Sequence, residues 1–247
     1  MRPLRLAFPA PLRRATFLER PNRFLLRVRL DGEAIPAEVH LADPGRLVEL
    51  LVPGRSLWIR EAASPTRRTK WSAVLVETPD GGGLVSLDTT LPNRFILEAL
   101  QAGVLDELSG WTLVRAEFPL GRSRIDFLLA RGEERLALEV KSVTLVEEGV
   151  ALFPDAVTAR GARHLRELAE VARRPGWQAA VLFVLQRDDA RRIEAARSID
   201  PAFADALAEA KAAGVRVLGR RCRVALDGLE LGEVVPAGRG TCLPEPA

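Results

Sequence analysis

The sequence predicts an α+β or α/β chain in two domains. A small β domain occupies residues 1–88, an α/β domain follows over residues 89–235, and a loose tail runs from 236 to 247. Three observations carry this. Six short runs of alternating apolar residues, divided by Pro-, Gly- and Asp-bearing turns, fill the first third of the chain. Beyond residue 90, strand-like runs alternate with helical periodicity, the pattern of a sheet covered on both sides. Within that region WQAAVLFVL, residues 177–185, is a continuous apolar run, as expected of a strand buried on both faces.

Taken in order, the candidate strands of the first domain are 15–19, 24–30, 37–40, 56–60, 73–77 and 84–87. Turns fall at Asp31-Gly32, Pro53-Gly54 and Pro79 to Gly83. Short strands at this spacing suggest a small barrel, and a five-stranded barrel of the oligonucleotide-binding type, an OB-fold, fits the size. Asp43 is placed to cap a short helical segment at Asp43-Pro44-Gly45-Arg46. The second domain opens with helical periodicity from Pro92 to Gly110, interrupted at Gly103, then a strand over 112–117. A helix follows FPDAVTARG, with Asp155 as its cap and Pro175-Gly176 at its end. Gly161 within it costs about 1 kcal/mol against Ala, which suggests a close approach by a strand or by nucleic acid. Residues 201–213 read as a further helix and 215–218 as a further strand.

Composition narrows the class. Apolar residues make up 47% of 247, no apolar run approaches the ~20 residues of a membrane span, and prolines break the N-terminal stretch. A cytoplasmic protein is expected. Cys222 and Cys242 form no C-x-x-C and read as reduced thiols, and His40 and His164 stand apart, against a His-based metal cluster. Residues 1–29 hold eight arginines and one acid, Glu19, although the chain's net charge is only +3. Cations for phosphates interleaved with rings for stacking suit a nucleic-acid strand. On that basis Arg13, Arg14, Arg23, Arg67, Arg68, Lys70 and Trp71 in the first domain, with Arg124 and Arg160 in the second, are the expected nucleic-acid-binding residues. A solubilising basic edge around ordinary core aromatics is the alternative.

The stretch SRIDFLLARGEERLALEVKS, residues 123–142, reads as a β-hairpin turning on Gly132 and Glu133. That register pairs Ile125 with Val140, Phe127 with Leu138 and Leu129 with Leu136 on one face. The other face places Asp126 opposite Glu139, with Lys141 two residues on. Directly opposed Cβ atoms lie ~4.5–5.5 Å apart, so like charges there repel, and two carboxylates at that range call for a cation. Mg²⁺ is commonly held by one or two carboxylates and activates water for phosphodiester hydrolysis, while a lysine beside it orients or deprotonates the water. Lysine is scarce here, at Lys70, Lys141 and Lys211 alone. The expected catalytic residues are Asp126, Glu139 and Lys141, with Mg²⁺ or Mn²⁺ as cofactor. Glu98, on the helix ahead of the hairpin, is a further candidate metal ligand, and Glu117 a weaker one. A surface ion-pair cluster is the bland alternative, since Asp followed later by Glu-x-Lys is common in charged proteins.

Asp126, Glu139 and Lys141 resemble the PD-(D/E)xK nuclease motif, with Ile125 where the motif's name has Pro. The chain more specifically resembles the sugar fermentation stimulation protein A family, over residues ~11 to ~232. The matching blocks are PLRRATFLERPNRFLLRV, NRF followed by LDELSGW, GRSRIDFLL, LEVKSVTL, FPDAVTARGARHLREL and ARSIDPAF. The resemblance implies an OB-like barrel followed by a restriction-endonuclease-like domain. It also implies DNA binding and a link to the regulation of maltose metabolism, with Asp126 and Glu139 as metal ligands, Lys141 as the catalytic lysine and Glu98 as the helix carboxylate. DNA is the expected partner, either cleaved or bound by a non-catalytic regulator. The oligomeric state is open, a homodimer included.

Overall fold

The computed structural model describes residues 4–8, 11–62, 67–121 and 123–238. Strand β1 (Arg5–Ala7) does not join the barrel. It pairs antiparallel with the last strand among the described residues, Ala7 beside Gly228, so residues 1–88 are not one domain. The expectation failed because three residues carry too little alternation to reveal a distant partner.

The barrel is built from β2 (Arg13–Asn22), β3 (Leu25–Leu30), β4 (Ala37–His40), β5 (Ser56–Glu61), β6 (Trp71–Glu77) and β7 (Leu84–Ser86). In β3 Leu26, Val28 and Leu30 point inward while Arg27 and Arg29 point out, the alternation that makes a half-buried strand. The order is β4-β3-β2-β5-β6-β7, and a β4–β6 pairing closes five strands into a barrel. Phe17, Leu26, Leu57 and Ile59 fill its interior. The short helix expected at Asp43 is absent. Asp43 Oδ1 instead accepts the Gly45 amide at 2.7 Å, a local turn that competes with helix. The Arg46 amide goes to Asp155 Oδ2 of the second domain at 2.9 Å, which ties the two halves together.

The second domain begins with α1 (Leu91–Ala102), ended by Gly103 in the left-handed region, and a 3-10 turn at Asp106–Leu108. Then come β8 (Thr112–Leu120), β9 (Ser123–Arg131), β10 (Glu134–Val143), β11 (Leu145–Glu147) and β12 (Val150–Phe153). After these follow α2 (Ala159–Ala172), β13 (Trp177–Leu185), β14 (Arg192–Ala195), α3 (Pro201–Ala212), β15 (Arg216–Ala225) and β16 (Gly228–Val234). Seven strands form one sheet, β1-β16-β15-β13-β10-β9-β8, with β10, β13 and β15 mutually parallel. The continuous apolar run is its central strand β13. Phe95 and Ile96 of α1 pack with Leu136, Leu138 and Leu182 on one face. Leu165 and Leu168 of α2 and Phe203 and Leu207 of α3 pack with Val181 and Phe183 on the other. Burying side chains of this size stabilises by about 1.5–3 kcal/mol each. A small sheet, β11-β12-β14, lies beside the main one.

Three local expectations are corrected. Thr158, not Asp155, caps α2, because its hydroxyl accepts the Gly161 amide and Asp155 is already engaged with the barrel. Gly161 admits neither a strand nor nucleic acid. A Cβ there would lie 2.8 Å from Thr158 Cγ2 and 3.2 Å from Phe203, so the space is taken by the cap and by α3. The tail is not loose at its start, since Pro236 and Gly238 both bond the backbone of Ile193. Residues 239–247, Cys242 among them, lie outside the described residues.

Candidate functional site

The hairpin forms in the expected register as far as Phe127 beside Leu138. There the ladder stops. Asp126 Oδ2 accepts the Val140 amide at 2.7 Å, a bond a strand carbonyl would otherwise supply. The expected Ile125–Val140 pair is therefore not made, and Ile125 packs in the core under α2, opposite the face that holds Phe127 and Leu129. The carboxylate of Asp126 thus bridges the two strands at the site, in place of a ladder bond.

Asp126 Oδ1 also accepts from Asn93 Nδ2 of α1, at 2.6 Å. Burial, then the charge of Glu139, pushes the Asp126 carboxyl up to about 6. Glu139 is 3% exposed. Its Oε1 takes two donors at 2.5 Å each, Lys141 Nζ and His164 Nδ1. Burial works to raise Glu139, but the His164 hydrogen bond and Lys141 outweigh it and hold the carboxyl below its ordinary range. The other oxygen, Oε2, is buried with no hydrogen-bond partner. An unmet buried acceptor costs about 1–3 kcal/mol, and more when charged.

His164 belongs to a chain of contacts. Arg160 Nε lies 3.4 Å from His164 Nε2. Arginine can only donate, so Nε2 carries the lone pair, and Nδ1 carries the proton given to Glu139. Sequence reasoning set His164 aside as an isolated histidine and passed over Asn93. Their only signal in the sequence was lying within the ordered blocks NRF and ARHLREL.

Glu98 is not at the site. It pairs with Arg94 one turn back on α1, at 3.2 Å. Five residues separate it from Asn93, about 140° round a helix, so Asn93 facing Asp126 turns Glu98 away. Glu117, at a φ of 54°, pairs with Arg124 at 3.0 Å. Among the described residues no three His, Cys, Asp or Glu side chains gather as a metal site. Two carboxylates do meet, with one orphaned oxygen, and Mg²⁺ needs no more than one or two from the protein. The residues present fit a hard divalent cation.

Two hollows flank these groups. One, of about 520 Å³, lies between the barrel and the second domain and is lined by Lys141, Arg160, Arg23, Asp43 and Asp155 among others. The second is bordered by Asp126, Glu117, Arg124 and Arg160. Arg160 belongs to both. On the barrel, Arg13 and Lys70 stand over the Trp71 ring, 5.3 and 5.2 Å from its centre. Their charges also meet Glu33 and Glu61, and Arg14 meets Asp31 and Ser56. Arg67 bonds only neutral hydroxyls, of Ser72 and Thr69, among the described residues, and Arg68 is exposed. The predicted basic residues thus fall into a group around Trp71 and a group around the two hollows.

Two family profiles match the chain. One, described as the sugar fermentation stimulation protein RE domain, covers residues 90–228, and the other, the SfsA N-terminal OB domain, covers residues 18–87. The chain is 47% identical over 205 residues to a sugar fermentation stimulation protein homolog of Shouchella clausii, covering 83% of this chain and 88% of that one. It is 47% identical over 218 residues to the homolog of Moorella thermoacetica, covering 87% and 92%. Its structure resembles that of Pyrococcus furiosus SfsA, described as a complex with Ca²⁺, at a TM-score of 0.84 and 27% identity, covering 97% of this chain and all of that one. Fold, order of domains and sequence agree over nearly the whole length, and the chain belongs to the sugar fermentation stimulation protein family.

Proposed function

We propose that this protein is a cytoplasmic, divalent-metal-dependent nuclease that cleaves DNA held between its barrel and the site on β9 and β10. The observation that carries the reading is Glu139 Oε2, a buried carboxylate oxygen with no partner, beside an Asp126 that burial, and then Glu139, makes harder to ionise. A dication answers both costs at once. Mg²⁺ or Mn²⁺ held by Asp126 and Glu139 would polarise the scissile phosphate and lower the pKa of a water. The bound Ca²⁺ named for the Pyrococcus furiosus relative supports a hard, oxygen-liganded cation in this family.

The chain's own groups then have distinct tasks. His164 Nδ1–H fixes Glu139 Oε1, so that Oε2 remains the oxygen offered to a cation. The Val140 amide and Asn93 do the same for Asp126. Lys141 Nζ, now on Glu139, borders the larger hollow. There its ammonium can orient the attacking water, give a proton to the leaving oxygen or offset charge on the phosphate. Arg160, at the junction of the two hollows, can hold a neighbouring phosphate.

The test is cleavage of single- and double-stranded DNA with Mg²⁺ or Mn²⁺, for wild type and Lys141→Ala. General acid–base groups contribute ~10²–10⁴-fold, so the variant should lose at least ~100-fold of the rate. Equal rates in the two proteins would remove Lys141 from the chemistry. Salt-sensitive binding without cleavage by wild type would leave a DNA-binding regulator on a nuclease scaffold. In either case Arg67→Ala with Arg68→Ala should weaken binding by a similar factor for all sequences and flatten its salt dependence.

A further inference from the structure

We propose that the hollow between the barrel and the second domain receives one unpaired base bearing an exocyclic amino group, so that the substrate is a single strand or a frayed end. The inference rests on the nucleic-acid reading above and adds the form of the substrate. At about 520 Å³ the hollow lies within the roughly 300–1,000 Å³ that encloses a small ligand. It can hold a nucleotide but not a duplex.

The distribution of charge sets the orientation. Lys141 and Arg160 line the hollow and reach the reaction site, and Arg23 comes from the barrel side. These cations suit phosphates. The side of the hollow that holds the buried Asp43 is of the opposite sign. Asp43 is 6% exposed, and it and Asp155 crowd over Gly45 so closely that a Cβ there would lie 2.8 Å from Asp43 Oδ1 and closer still to Asp155 Oδ2. Two carboxylates repel a phosphate but accept N–H groups, as they do from the amino group of cytosine. The base therefore points inward and the backbone stays at the rim. A paired base has already committed that amino edge and is stacked on both sides, so it must leave the helix to enter. Arg160 also borders the hollow that holds Asp126. A strand passing it would lay its next phosphate at the reaction site.

The experiment is fluorescence anisotropy with the full chain in EDTA at pH 8, where no cleavage occurs, using labelled oligo(dC), oligo(dT) and a blunt hairpin duplex. Oligo(dC) should bind about tenfold tighter than oligo(dT) or the duplex, the low end of the 1–3 kcal/mol per base contact. Ala156 also lines the hollow, and Ala156→Trp, which fills it, should bring oligo(dC) down to the duplex. Asp43→Asn keeps the acceptor for the Gly45 amide and should abolish the dC-over-dT preference while single strands remain favoured. Equal affinities for single strand and duplex, or an unchanged oligo(dC) affinity in Ala156→Trp of native circular dichroism, overturn the inference. If that variant does not fold, an unchanged dC-over-dT preference in Asp43→Asn does so. The nuclease reading fails separately: no cleavage with Mn²⁺ while the single-strand preference holds sinks that reading alone.

Discussion

That Asp126 would meet the Glu139–Lys141 stretch was legible from a two-residue strand period and one glycine turn, although the ladder itself stops at Phe127 and Asp126 reaches across by its carboxylate. His164 and Asn93 were not, since a histidine and an asparagine on apolar helix faces look the same whether or not a carboxylate lies across from them. Their contacts give the first prediction. His164→Gln loses the geometry that fixes Glu139 Oε1, and partners of metal ligands are worth 10–100-fold in affinity. Calorimetric titration of Mn²⁺ should show a loss of about that size, with the thermal midpoint in EDTA little changed. A second prediction concerns Asp43, raised from 3.8 to about 6 by burial first and by the nearby Asp155 next, against the pull of the Gly45 amide and Arg20. A carboxyl that holds its proton more tightly folded than unfolded favours folding fully below about pH 4, and that contribution is lost as pH rises through about 6. Asp43→Asn should therefore match wild type at pH 4 and be more stable at pH 7.5. At about 1.4 kcal/mol per pK unit the gain is bounded at roughly 3 kcal/mol. Thermal melts at the two pH values decide it, and equal stability at pH 7.5 would show that Asp43 ionises freely.

At the scale of elements, the six barrel strands, the hairpin and the buried run could be read directly, because alternation and turns are local signals. What failed was set by partners far along the chain. Asp126 displaces a ladder bond that the apolar pattern would have supplied to Ile125 and Val140. The helix expected at Asp43 lost the Arg46 amide to Asp155. Gly161 shows the same dependence on context. In an exposed helix Gly→Ala gains about 1 kcal/mol. Here the added Cβ meets the capping Thr158 and the ring of Phe203. Gly161→Ala should instead destabilise by about 1–3 kcal/mol, the range for overpacking, in urea unfolding. A gain in stability would mean that α2 and α3 separate easily.

At the scale of the molecule, two domains were foreseen, but the boundary at residue 88 concealed a crossing. The barrel is tied to the second domain by the chain that links them, by Arg46 against Asp155, and by β1 at the edge of the seven-stranded sheet. Removing residues 1–8 should uncover the edge of β16, lower the thermal midpoint and promote self-association, since an open edge is a template for pairing. Light scattering and calorimetry of the truncated chain test this. Among the described residues no helix is long and apolar enough to cross a membrane.

The pairing of β1 with β16 also orders events during synthesis. Arg5–Ala7 leave the ribosome about 220 residues before the strand they bind, Gly228–Val234. The barrel can close on its nascent chain, and the hairpin carrying Asp126 and Glu139 can form, while the leading residues still wait. Only a chain made through Gly228–Val234 can be fastened at that edge, so a polypeptide cut short before it would carry a formed barrel and an unsealed sheet.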